Sequence, residues 1–374
     1  MCTGGIAGFI KYEQIDRFFL KKHVYLYKIK IFAMKYIKLI FLLVFLPVAV
    51  NAQSGEDTYN FLRFPTSSRA NALGGHTVSL IEPDPSLVFH NPALLGGELD
   101  NMMNVNYMNY ISGINIGSAI FSKAFRERSA WGVGATYINY GSMKEMTVND
   151  EYLGMFSAQD IGIHAFYSYD LSEKWRGGLS LKALYSTIAD YSSFGLAVDA
   201  GLSYFDKDQD FSYGIALKSI GAQLKSFYDE RQSIPWDLQM GFTKRMAHAP
   251  LRVSVTAMYL NRWKFDVIDK TATDTEKDSF FETAFKHLVF GAEFVPSENF
   301  WLGIGFNPKT KSDMKLQSGN GLGGFSIGGG VKVSRFNVGA SVARYHPSAT
   351  SLMVSITMSL NQLTVDNSKI RDFE

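Results

Sequence analysis

From about residue 100 onward the chain alternates apolar residues with small or polar ones, and a period of two is the signature of strands whose two faces meet different surroundings. Leu251, Val253, Val255, Ala257 and Tyr259 fall on one face, with Arg252, Ser254, Thr256 and Met258 on the other. Phe325, Ile327, Gly329, Val331 and Val333 alternate with Gly324, Ser326, Gly328, Gly330 and Lys332 in the same way. So do Leu352, Val354, Ile356, Met358 and Leu360 with Met353, Ser355, Thr357 and Ser359. Soluble sandwiches also alternate, so the connections must discriminate. The pattern places strands at 103–110, 115–125, 129–140, 157–170, 174–187, 193–206, 210–220, 235–247, 250–264, 285–296, 299–308, 322–333, 335–345 and 350–360, fourteen in all. Compact turns at 126–128, 170–173, 206–210, 247–249, 296–298 and 334 alternate with longer loops at 141–156, 221–234, 265–284 and 309–321. Short turns on one rim and long loops on the other belong to an outer-membrane barrel, with the long loops extracellular. Hydrocarbon requires every backbone N–H and C=O to be paired internally, and a closed barrel does this without an exposed edge. The expected fold is therefore an all-β, transmembrane antiparallel β-barrel over residues 101–360.

The amino end fixes the export route. Residues 34–52 carry Lys35 and Lys38, then the apolar run Leu39–Val50, then Asn51-Ala52, the layout of a cleavable signal peptide. The run is shorter than the ~20 residues a membrane-spanning helix needs. Residues 1–33 precede the methionine at which such a signal starts and read as a mis-assigned upstream extension, a cytoplasmic extension being the alternative. Without residues 1–52 the chain keeps 29 basic and 33 acidic residues, so the basicity of the whole belongs to the part removed. No nucleic-acid footprint survives, and Cys2, the sole cysteine, is lost, leaving no disulfide, thiolate site or lipid-anchoring cysteine. Residues 361–374 form a mostly polar tail.

Residues 53–100 break the strand pattern. Gly74 and Gly75 permit positive φ, Asn91-Pro92 starts a turn, and Pro92 can open a short helix through Ala93, Leu94 and Leu95. Turns and short helices ahead of a barrel fit a plug inside its lumen, with Gly74, Gly75, Asn91, Pro92 and Ala93 as its motif.

Here a resemblance enters. The run YNFLRFPTSSRANALGG at 59–75, followed by NPALL at 91–95, resembles PorQ-like proteins of the type IX secretion system, in the PorV/PorQ group of FadL-like fourteen-stranded outer-membrane barrels. The resemblance implies an outer-membrane anchor that holds the surface protein PorZ beside PorU and PorV in an attachment complex. It also implies no catalysis by this chain. The chain departs from a common barrel pattern at its end, where Phe373 is followed by Glu374 instead of closing the last strand. FadL-like barrels also include transporters of hydrophobic small molecules, the alternative function. A passive porin is disfavoured by the plug.

Chemistry-bearing residues are sparse. No histidine pair has zinc-site spacing, and His76 and His90 fall in the plug, so scattered polar positions are the expectation. Asp266, Asp269, Asp274, Glu276 and Asp278 lack the glycine and terminal glutamate of a calcium loop. Gly321, Gly323, Gly324 and 328–330 miss the phosphate-loop spacing and fit a strand that bends or faces a plug. No catalytic constellation, metal site or cofactor site is expected. Tyr107, Tyr110, Trp131, Tyr137, Tyr140, Tyr167, Tyr169, Trp175, Tyr259, Trp263, Trp301 and Tyr345 lie near strand ends, where headgroup-level aromatics belong, core packing being the alternative. In the long loops Phe227, Tyr228, Trp236, Phe280 and Phe281 are candidates for partner binding, or else for folding back on the rim.

Overall fold

The computed structural model describes residues 58–147, 149, 151–228, 231–263, 279–315, 322–346 and 349–361. The signal peptide, the upstream extension, the acidic candidates Asp266, Asp269, Asp274, Glu276 and Asp278, and the tail beyond 361 lie outside them. Fourteen strands are described: β1 (Met102–Asn109), β2 (Asn115–Phe125), β3 (Ser129–Met146), β4 (Tyr152–Asp170), β5 (Trp175–Ile188), β6 (Tyr191–Asp206), β7 (Phe211–Lys225), β8 (Asp237–Arg245), β9 (Leu251–Ala257), β10 (Leu288–Ser297), β11 (Phe300–Phe306), β12 (Phe325–Val333), β13 (Phe336–His346) and β14 (Ala349–Ser359). Every strand pairs antiparallel with its sequence neighbours, and β1 pairs with β14, from Met102 opposite Ser359 to Asn109 opposite Leu352. The sheet is thereby a closed barrel.

Alternation decides which face is which. In β1, Asn104, Asn106 and Met108 are buried inside while Met103, Val105 and Tyr107 are exposed outside. The same holds around the wall, where Ile163, Leu179, Leu181, Val198, Leu302, Ile304, Ile327, Leu352 and Ile356 all stand outward. An exposed apolar mantle of this extent is what acyl chains cover, so the fold is an outer-membrane-type barrel. A cross-strand row runs Trp175, Tyr204, Tyr213, Phe242, Val255, Phe290, Phe306, Phe325. It starts on the first residue of β5 at the short-turn rim and ends on the first of β12 at the opposite rim, which is the stagger a tilted barrel requires.

The wall is uneven. β3 and β4 have 18 and 19 residues, while β9 and β11 have 7 each. Two expected boundaries therefore change. The loop expected at 141–156 is mostly strand, because Ser142–Glu145 pair with Ser157–Gly154 and carry the β3–β4 hairpin beyond the apolar band. With water on both sides there, alternation gives no cue. The strand expected at 250–264 stops at Ala257, because Tyr259 leaves the outward parity of Val253 and Val255, adopting φ 58° and facing the lumen with its N–H donating to Asp237 Oδ1 at 2.7 Å. Helix α2 (Phe280–Lys286) then precedes β10, and α3 (Pro308–Lys315) occupies part of the expected 309–321 loop.

Residues 58–100 fill the lumen. Helix α1 (Ser68–Ala72) is entirely buried; a single 3-10 turn precedes it at Asn60–Arg63 and others follow at Pro85–Phe89, Pro92–Leu94 and Gly97–Leu99. Three of these elements start where the sequence supplies a cap or a proline: Ser67 for α1, Asp84 and Pro85, Asn91 and Pro92. This segment contributes nearly half of the buried apolar residues described, with Leu73, Leu80, Leu87, Leu95 and Leu99 nearly fully buried.

Candidate functional site

The inward face of the barrel is rich in serine, and those hydroxyls hold the plug. Ser326 Oγ accepts from Gly74 N and donates to Ala72 O, both at 2.9 Å. Ser212 donates to Ser79 O at 2.7 Å and Ser122 to Leu99 O at 2.7 Å. Asn71 donates to Ser341 at 2.9 Å and accepts from the Tyr345 hydroxyl at 2.6 Å. Small wall residues let the plug's backbone approach. A Cβ on Gly178 would overlap Pro92 and Ala93, one on Gly201 would overlap Asn91, and one on Gly305 would overlap Gly74. The five predicted plug residues thus sit at the plug–wall contact, with Gly74 and Gly75 at φ 94° and 95°. Gly328 and Gly330 in β12 likewise face Ala72 and Trp301.

On the β9–β10 side the plug is locked by charge. Arg69 of α1 pairs with Glu293 at 2.7 Å and Glu82 at 2.9 Å, and Arg252 pairs with the same two carboxylates, Nε to Glu293 Oε2 at 2.7 Å. Arg252 and Glu293 are direct cross-strand neighbours. Burial alone would raise the Glu82 carboxyl, but Arg69 and Arg252 hold it below its ordinary value. Trp301 packs 4.9 Å beneath the Arg69 guanidinium. Four buried charges of alternating sign cancel, which is the condition for such a cluster to be tolerated away from water.

On the β3–β8 side the lumen is hollow. A narrow, partly enclosed cavity, with about 40 Å³ of room for water-sized occupants, reaches from the long-loop rim to mid-barrel. Phe61, Leu62 and Phe64 of the plug, with Pro235 and Tyr259, give it a largely apolar mouth, to which Arg63, 5.7 Å over the Tyr259 ring, adds a cation. Its inner end is basic: His76, His90, His164, Lys182 and Lys218. His164 and Lys182 are cross-strand neighbours on β4 and β5. Lys218 continues the inward parity of Ser212, Gly214 and Ala216. A bulge follows: between Val198 and Ala200 the β6–β7 register shifts and Ser219 takes φ 57°, so Ser219 points inward beside Lys218. Lys182 pairs with Asp199 at 2.8 Å, whereas Lys218 donates to Phe89 O at 3.0 Å. Asp237 accepts from Gln239 at 2.6 Å and from Tyr259 N. Burial, reinforced by Lys218 and Arg63, pushes His76 down to about 3, and burial with Lys218 holds His90 well below its ordinary value. Both imidazoles are neutral. Sequence reasoning left these histidines scattered, yet the lumen brings three of them together.

The predicted aromatics divide. Tyr107, Trp131, Tyr137, Tyr167, Tyr169 and Trp175 are exposed on the outer face. Tyr110, Tyr140, Tyr259, Trp301 and Tyr345 instead point inward, the last donating to Asn71 and Tyr140 to Asp160. Inward parity at Tyr110, Tyr140, Trp301 and Tyr345 overrides nearness to the strand end, and Tyr259 reaches the lumen by its left-handed turn. Of the loop candidates, Tyr228 packs on Tyr191 at 4.6 Å and Phe227 is half-buried. Trp236 is exposed, with its carbonyl accepting from Asn261. Phe280 rests on Trp263 at 5.5 Å, and Phe281 is 81% exposed at the start of α2. They do not form one cluster with the cavity residues.

No protein-family model matches the chain, and no curated protein matches it. Solved structures do. The Ralstonia pickettii toluene transporter TbuX is 13% identical, with 80% of this chain and 98% of that chain covered and a TM-score of 0.49. A Pseudomonas aeruginosa FadL homologue is 10% identical over 79% and 98%, with a TM-score of 0.47. The CymD monoaromatic hydrocarbon channel is 13% identical over 79% and 97%, at 0.49. At such identities and scores, function has to be argued from this chain's own geometry.

Proposed function

We propose that this chain is an outer-membrane barrel that takes up small hydrophobic molecules through its long-loop side, a FadL-like transporter, with those loops extracellular. The observation that carries this reading is the cavity with its apolar mouth. It opens beside the one place where the β7–β8 ladder ends early. Beyond the Lys218–Asp237 pair, residues Ser219–Lys225 of β7 continue as strand with partners on β6 alone among the described residues. Outward on that stretch stand Ile220 and Leu224. An apolar solute in the mouth thus has lipid, not a paired wall, to one side, while the plug denies it a straight path down the axis. A pocket with a few convergent polar groups behind an apolar entrance is the usual form of a small-molecule site. The test is uptake of labelled oleate and toluene by cells that lack their own transporter. The chain should raise uptake of at least one, and Phe61→Glu, which charges the mouth, should abolish the gain. Uptake equal to that of cells without the chain would sink the proposal.

A second reading, the PorQ-like anchor that retains PorZ beside PorU and PorV, is favoured by one observation. Phe280 and Phe281 stand exposed on α2 at the long-loop rim, as an aromatic anchor for a protein partner would. If this reading holds, PorZ co-purifies with the solubilised barrel, and Phe281→Ser or removal of residues 271–278 releases it while the barrel stays folded. Unchanged PorZ retention in both variants would count against it.

A further inference from the structure

We propose that the inner end of the cavity binds a small oxyanion, a carboxylate or phosphate group, between Lys218, His90 and His164. This stands beside the uptake proposal and does not rest on it, since an anion held at mid-barrel serves a static barrel equally well. The donors are built and unspent. His90 is 3% exposed and neither ring nitrogen has a partner. His164, equally buried, has only a long 3.3 Å contact from Nε2 to Thr136, and its Nδ1 has none. Lys218 spends one of its three N–H donors on Phe89 O. Each of these side chains lines the cavity.

Charge points the same way. Of the carboxylates nearest the cluster, Asp199 is paired with Lys182 and accepts from Ser219 N at 2.7 Å, while Asp237, the cross-strand neighbour of Lys218, turns to Gln239 and Tyr259 N and forms no ion pair with it. No described carboxylate lies within ion-pair distance of Lys218. Water could satisfy the imidazoles, but it brings no counter-charge to a buried ammonium, whereas an oxyanion does both. A cation is excluded by the same census, and among the described residues no three histidines or carboxylates are placed to hold a metal ion. The bulge supports the assignment. Regular pleating would have sent Ser219 outward, and the extra residue instead turns two adjacent side chains into the lumen, at the cost of a left-handed serine.

The experiment is calorimetric titration of the full chain, purified in an uncharged detergent and chloride buffer. One arm uses inorganic phosphate and the other octanoate below its micelle-forming concentration. At least one should bind with one site per chain, and Lys218→Met and His90→Phe should each weaken it about tenfold or more. Lys225→Met, at an exposed rim lysine, should leave it unchanged. Phosphate alone binding assigns a free anion, and octanoate alone assigns the head of an amphiphile. Lys218→Arg, which keeps the charge, should retain binding and guards against a folding defect. The proposal is overturned if neither anion binds, or if Lys218→Met binds as the parent does. Oleate and toluene uptake is scored separately, so either proposal can fail while the other stands.

Discussion

The two sides of the lumen handle buried charge in opposite ways. Against β9 and β10, Arg69, Glu82, Arg252 and Glu293 close a ring in which each cation meets two carboxylates. Against β4 to β7, Lys218 meets a carbonyl, and His90 meets nothing. Both clusters are buried among the same serine-rich walls, so depth does not separate them. The difference is completeness. A finished polar network fastens the plug, while an unfinished one keeps free energy in reserve for whatever completes it.

The most damaging way to break this contrast is to spoil the finished side. Glu293→Gln leaves two guanidinium groups sharing one carboxylate at a position 2% exposed, and the loss should be about 3–5 kcal/mol. It would be read as a lowered unfolding midpoint of the refolded barrel in urea, together with protease cleavage inside residues 58–100. Replacing the pair by Arg252→Met with Glu293→Leu should recover part of that loss, because charge and counter-charge leave together. No recovery would mean that the pair acts through packing alone. Next in size is the seat of the plug. Gly178→Val drives a side chain into Pro92 and Ala93 and should cost about 1–3 kcal/mol by overpacking. Gly177→Val, one residue along with its Cβ near Leu171 only, should cost far less.

Those two clusters also mark how far the sequence could be read. The barrel was legible because period 2 and turn parity are local properties, visible in any ten residues. Fourteen strands, an inner serine face and a plug in residues 58–100 all follow from them. What failed was legibility where both faces see the same medium, as in the β3–β4 hairpin above residue 141. The clusters failed for another reason. His90 and His164 lie 74 residues apart in sequence and meet only because plug and wall share a lumen. A usable cue was nonetheless present. On β4, Gly162, His164, Phe166 and Ser168 alternate with the outward Ile161, Ile163, Ala165 and Tyr167, so a titratable residue sits on inward parity. Lys182, Asp199, Arg252 and Glu293 share that property. Lys218 shares it too, on the parity of Ser212, Gly214 and Ala216, and the residue that escapes it is Ser219, which the bulge turns inward against that parity.

Acid should sharpen the contrast at intermediate strength. His76 and His90 have folded-state values below the ordinary 6.5, so the unfolded chain takes up protons first and stability falls as pH drops from about 6.5 toward about 3. The carboxylate ring responds later. Glu82 lies below its ordinary 4.5, so its contribution is present above that pH and is lost as pH falls through the depressed folded value. Between pH 7.5 and 5.0 the loss therefore belongs to the histidine side, on the order of 2 kcal/mol for each ring. The double variant His76→Phe, His90→Phe should flatten that interval in a urea titration. An equal slope in parent and variant would mean that these rings do not titrate with unfolding.

The smallest effect has the opposite sign and separates the two sides most cleanly. Lys218→Met, in chloride buffer without phosphate or carboxylate, removes a buried ammonium whose one hydrogen bond goes to a carbonyl and which has no described carboxylate within ion-pair distance. It gives up one hydrogen bond to Phe89 O, worth about 1 kcal/mol, against a desolvation cost of several. The thioether keeps the volume and lies against Phe89, so no cavity opens. A net gain of about 1 kcal/mol is expected, where the same kind of apolar change on Arg69 or Arg252 is a loss. Saturating phosphate or octanoate should then cancel or reverse the gain, because the bound anion stabilises only the chain that still carries the ammonium. A variant less stable than the parent in plain chloride would mean that Lys218 is already paired through its neighbours, and the two halves of the lumen would then differ in geometry but not in charge.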